Sequence, residues 1–144
     1  MRGKLANCAV GEVLRGKTVR LTLSRVLAFS GGGLDEPGWP HRNIHTDRAT
    51  AQAAGLPDII VSGTQFEGIL LTHLIGLFGA GWYQGGELEA KIVKSAFVND
   101  EVTPVAVVRD IRGEGADATF DLDVWCERQT GEKLMLGHAS ARVG

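Results

Sequence analysis

Gly63-Thr64-Gln65-Phe66-Glu67-Gly68-Ile69-Leu70-Leu71-Thr72-His73-Leu74-Ile75-Gly76-Leu77-Phe78 decides how the rest of this chain must fold. Phe66, Ile69, Leu70, His73, Leu74 and Leu77 recur at helical spacing, and Leu71 and Ile75 widen the apolar stripe. The spacing predicts one long helix over 63–78, buried on most of its sides. Downstream the pattern changes to β: Leu88 to Lys94, Glu101 to Ile111, Ala118 to Glu127 and Lys133 to Val143 are the expected strands. In the third, Ala118, Phe120, Leu122, Val124 and Cys126 alternate with Thr119, Asp121, Asp123, Trp125 and Glu127, the mark of a half-buried antiparallel strand. Gln129-Thr130-Gly131-Glu132 supplies a hairpin turn, and Pro104 points to an edge or a bulge in its strand. An antiparallel sheet wrapped around one long helix, an α+β domain, follows.

Upstream, Lys17 to Leu23 alternates like a strand, and Ser24 to Phe29 reads as a short helix with Ser24 as its cap. Gly31-Gly32-Gly33 and Pro37-Gly38-Trp39-Pro40 then form a long irregular loop that leads into Asn43-Ile44-His45-Thr46-Asp47. A short helix over Asp47 to Ala54 follows, with Thr46 or Asp47 as N-cap and Gly55 as its stop. The chain thus sets an imidazole, able to move protons near neutral pH, shortly before a glycine that opens an apolar helix. A backbone N–H at such a helix start can stabilise a developing oxyanion.

Composition excludes several classes. A net charge of -2 with scattered basic residues gives no electrostatic footprint for nucleic acid or an anionic membrane surface. Cys8 and Cys126 are far apart and do not form a disulfide framework or zinc site. Met1 to Val10 lacks the apolar core of a signal peptide, and Ile69 to Ala80 is too short and interrupted to span a bilayer, so a cytoplasmic location is expected. Gly31-Gly32-Gly33 lacks the Lys-Ser/Thr that completes a phosphate-binding loop. No spacing of Glu36, Asp117, Asp121 and Asp123 demands a metal.

The order of elements and residues resembles the MaoC-like, R-specific enoyl-CoA hydratase/dehydratase family of hot-dog folds. That family carries Asp-x-Asn-Pro-x-His, an aspartate two residues on, an alanine-containing helix and a His-Gly pair opening the central helix. Here Asn43, Ile44, His45, Asp47, Ala51 and Gly55 match the segment in part, Gly63 takes the place of the oxyanion-binding glycine, and Phe97-Val98-Asn99-Asp100-Glu101-Val102 resembles the strand and Gly-Asp turn after the helix. The chain departs at three places. Ile44 follows Asn43 with no proline between them; the catalytic aspartate is His41, or Pro40 if no gap is opened; and Ser62 replaces the histidine of the His-Gly pair. The resemblance implies a single hot-dog domain over 1–144, acting as a homodimer or larger homo-oligomer, or as a heteromer with a related subunit.

It further implies hydration of a 2-enoyl thioester or dehydration of a 3-hydroxyacyl thioester, with no metal or redox cofactor. Coenzyme A or an acyl-carrier phosphopantetheine enters as part of the substrate. His45 is then the general base and acid. On spacing alone it reads as a structural histidine bonded to a loop carbonyl. Asn43 orients the histidine or the water, or is a turn residue bonded to its own backbone. Asp35 is the catalytic carboxylate if the loop folds it back onto His45, and a solvated loop acid otherwise; His41 offers a second imidazole there. Asp47 either pairs with His45 or caps its helix. Gly63 is the expected oxyanion donor, with Ser62, Gln65 and His41 lining the substrate. Isomerisation or hydrolysis of a thioester, and a non-catalytic acyl-binding subunit, are the rival functions on such a scaffold.

Overall fold

The computed structural model describes residues 3–144, so the sequence reading at Met1 and Arg2 lies outside the described residues. In chain order the elements are β1 (Val13–Arg15), β2 (Val19–Arg20), α1 (Leu23–Ser30), α2 (Arg48–Ala53), α3 (Gly63–Phe78), α4 (Ala80–Gly85), β3 (Glu87–Ile92), β4 (Glu101–Arg112), β5 (Thr119–Arg128) and β6 (Lys133–Arg142). Helix α3 occupies the predicted residues, and Phe66, Leu70, Leu74, Leu77 and Phe78 are buried. They meet the inward residues Phe120, Leu122, Val124 and Cys126 of β5 and Ala139 and Ala141 of β6 in one core.

The sheet is antiparallel, ordered β1-β4-β5-β6-β3, with β2 also pairing β4. The alternation in β5 is realised: Phe120, Leu122, Val124 and Cys126 are buried and the odd-numbered residues from Thr119 to Glu127 are only partly covered. On the outer face Arg112 pairs with Asp121, and Arg109 and His138 pair with Asp123.

Two local readings are corrected by the backbone. The alternating segment from Lys17 forms ladder only at Val19 and Arg20, because α1 begins at Leu23 and Thr22, not Ser24, caps it by accepting from the Arg25 N–H. Pro104 lies in β4, a strand paired on both sides, and the register break of β4 falls at Arg109 instead. The proline is accommodated because it faces the gap between β1, which ends opposite Val105, and β2, which begins opposite Val102. Only its carbonyl is used there, accepting from the Gly16 N–H at 2.8 Å.

The turn into β4 is built on Asn99, the one non-glycine with positive φ (+73°) among the described residues. Asp100, 5% exposed, braces it. Its carboxylate accepts from the Phe97 N–H (2.8 Å), from Arg128 (3.0 Å) and from Gln129 (2.8 Å).

Candidate active site

His45 is half-buried and held from both ends. Its ring Nδ1 lies 2.8 Å from the Ile60 carbonyl oxygen. A carbonyl can only accept, so Nδ1 carries the proton and Nε2 keeps its lone pair. The backbone of His45 donates to Asn43 Oδ1 at 2.8 Å, and Asn43 Nδ2 donates to the Ser30 carbonyl at 3.0 Å. Asn43 is therefore committed on both amide atoms and positions the histidine, tying it to the C-terminal end of α1. Thr46, 8% exposed, accepts from the Asn43 N–H at 2.9 Å and donates to the His41 carbonyl. This turn is what the Asn-Ile-His-Thr order encodes: an Asx bond forward and a threonine bond back.

The Ile60 N–H also donates to Ile44, at 3.3 Å. Residues 44 and 45 are thus bonded to residue 60 through both backbone and ring. Val61 is fixed in turn by its N–H to Ala96 at 2.8 Å, and α3 starts at Gly63. His45 is consequently tied to the segment that delivers the first helical amides. Ser62 stands at the N-cap position, but its side chain makes no capping bond. Neither the Gly63 nor the Thr64 N–H donates to a described group, as expected for the first turn of a helix. A Cβ on Gly63 would lie 2.2 Å from Ile92 Cδ1, so the missing side chain leaves room for that residue of β3, itself 51% exposed.

The carboxylate readings divide differently. Asp47 caps α2, accepting from Thr50 N (2.9 Å) and Thr50 Oγ1 (2.7 Å), and those bonds hold its carboxyl below the usual range. It is not bonded to His45. Asp35 is exposed and makes no hydrogen bond or ion pair among the described residues, so the loop does not fold it onto His45. The loop acid that finds a partner is Glu36, whose Oε2 lies 2.8 Å from His41 Nε2, with both side chains about half exposed. Gln65 faces α1, with Nε2 donating to the Arg25 carbonyl at 3.3 Å, and its Oε1 is buried without a partner. Trp82 packs on Phe78, with ring centroids 5.7 Å apart, and Tyr83 is 74% exposed.

The structure thus bonds His45 to Asn43 and to Ile60, three residues before Gly63, while Asp35, Asp47 and the His41 side chain make no bond to His45. The Ile60 carbonyl and the Thr46 hydroxyl are parts that the sequence reading missed. The first leaves no trace in a side chain; the second was signalled only as a possible helix cap.

No family model matches the chain, and no curated protein does. Solved structures do. The (R)-hydratase from A. caviae involved in PHA biosynthesis is 23% identical, with a TM-score of 0.68 over 96% of this chain and 98% of that one. The R-hydratase PhaJ1 from Pseudomonas aeruginosa is 14% identical, with a TM-score of 0.77 over 99% and 86%. A MaoC-like dehydratase from Rhodospirillum rubrum is 21% identical, with a TM-score of 0.68 over 96% and 93%. The chain has the hot-dog fold of these proteins along nearly its full length.

Proposed function

From a fold shared with hydratases and dehydratases, we propose that this protein adds water reversibly to a 2-enoyl thioester, or removes it from a 3-hydroxyacyl thioester. The observation that carries this reading is the bond from His45 Nδ1 to the Ile60 carbonyl. It leaves Nε2 as the basic nitrogen of a ring anchored to Ile60, which stands three residues before the start of α3.

In the hydration direction a water gives a proton to His45 Nε2 while its oxygen bonds to C3 of the substrate. The C2–C3 π electrons move onto the thioester oxygen, which becomes an enolate. The Gly63 N–H donates a hydrogen bond to that oxygen. The enolate then collapses as C2 takes the proton from the imidazolium, and the ring returns to its starting state. An oxyanion donor contributes about 2.7–4 kcal/mol to such a step, and a positioned base roughly 10²–10⁴-fold. Asn43 keeps the ring in place, and the substrate carrier is coenzyme A or an acyl-carrier phosphopantetheine.

The commitment of Asp47 to Thr50 and of Glu36 to His41 favours a second reading, a subunit that binds acyl thioesters beside a related, active chain. A mass-spectrometric assay of the purified protein with 2-enoyl and 3-hydroxyacyl thioesters separates the two. Gain or loss of water that disappears in His45→Asn supports the lyase. Binding of thioesters without turnover supports the subunit, and isomerised or hydrolysed product overturns both.

A further inference from the structure

A second feature lies along the flank of α3 that faces β1 and β2. A groove of about 750 Å³ runs there from Gln65 to Leu77, roughly 18 Å of helix at about 1.5 Å per residue. His45 and Asn43 do not line it. Its floor is apolar, with Leu14, Val19, Leu21, Ile69 and Pro104 among the lining residues. Its charged residues are all cationic, namely Lys4, Arg15, Lys17 and Arg25, with no aspartate or glutamate among them, in a chain whose net charge is -2. Arg15 is paired with Glu127, while Lys4, Lys17 and Arg25 make no ion pair among the described residues.

Two further observations mark the groove as kept open. Gly68 and Gly76 sit inside α3 on this flank, where glycine weakens a helix relative to alanine, yet a Cβ at either would meet nothing within 4 Å. Neither glycine has a positive φ, so no local backbone requirement explains them. His73 donates from Nε2 to the Leu14 carbonyl at 2.9 Å, which leaves Nδ1 as an acceptor on the groove wall.

We propose that this groove binds a small anionic amphiphile. An apolar chain lies along α3 over Gly68 and Gly76, and its carboxylate or phosphate end is met by the cations of the rim. The inference rests on the groove alone and is independent of the chemistry assigned to His45.

Amide chemical-shift titrations of the intact protein with octanoate, octyl phosphate and octanol test it. Both anions are expected to shift the Gly68 and Gly76 amides, with octanol at least tenfold weaker, and binding is expected to weaken with added salt. Gly68→Leu fills the groove and is expected to abolish these shifts. Lys17→Glu combined with Arg25→Glu, both on exposed side chains, is expected to weaken the anions at least tenfold while leaving octanol unchanged. His45→Asn is expected to bind as the wild type. Binding by only one anion identifies the head group and still supports the groove. Octanol binding as tightly as the anions, or anion binding unchanged in the charge-reversed protein, overturns the proposal; that second protein also settles the matter if Gly68→Leu fails to fold.

Discussion

The ring Nδ1 of His45 is bonded to the carbonyl oxygen of Ile60 at 2.8 Å, and this bond decides which nitrogen of the ring can act as a base. An asparagine in the same place can point its amide N–H at the same carbonyl, yet it offers no basic nitrogen. His45→Asn is therefore expected to melt within a few degrees of the wild type and to lose about 10²–10⁴-fold in hydration rate. Thermal melts and initial rates on one enoyl thioester check both halves. Full activity in this variant would remove His45 from the mechanism.

Asn43 holds the turn rather than the substrate, so its loss should show in geometry first. Asn43→Ala removes the bonds to Ser30 and to the His45 backbone. The expected cost is about 1–3 kcal/mol of stability, because the Ser30 carbonyl and the His45 N–H lose their partner. The turnover number is expected to fall more than KM changes, since a misplaced base affects the transition state and not ground-state binding. Denaturant titration with steady-state kinetics measures the two effects separately.

Asp100 is the structural carboxylate of this fold. Replacing it with alanine strips the acceptor from the Phe97 N–H, Arg128 and Gln129 together. It also leaves a guanidinium only 23% exposed without its buried partner. Asp100→Ala is expected to destabilise by about 3–5 kcal/mol. The measurement is the urea midpoint, and a shift smaller than that of Asn43→Ala would contradict the assignment.

His73 gives the fold a pH dependence of known sign. Burial, with Lys4 nearby, lowers its pKa below the ordinary histidine value, opposed by its bond to Leu14. The folded state thus binds this proton less readily than the unfolded chain. Its stabilising effect is complete above the unfolded pKa, about 6.5, and is lost as the pH falls through the folded value. His73→Gln can keep the donor to Leu14 without titrating. Unfolding free energies between pH 8 and pH 5 are expected to fall more steeply in the wild type than in this variant.

The long elements were legible because their periodicities are strong. The helix bounds at Gly63 and Phe78 follow from a continuous apolar stripe, and β5 follows from the unbroken alternation of Ala118 to Glu127. The start of α1 was not, since Thr22 and Ser24 are both good caps. At the site, His45, Asn43 and Gly63 could be named from residue type and order. The acceptor for His45 could not, because the carbonyl of Ile60 is brought there by backbone pairing and carries no sequence mark. Of the carboxylates, Asp47 takes the capping role that its place at a helix start allowed, whereas the place of Asp35 was not legible. Asp35 sits in a loop whose path no periodicity fixes.

That loop closes on itself. The His41 N–H donates to the Gly31 carbonyl at 2.8 Å, so residues 32–40 leave and return at a single point. The turn that carries His45 is supported from the two ends of the loop, by the backbone carbonyls of Ser30 and His41. The stretch between is a natural port for grafting: added length there costs little more than loop entropy, about 0.6 kcal/mol per doubling. A reporter peptide or a binding tag carried there leaves the turn that holds His45 in register.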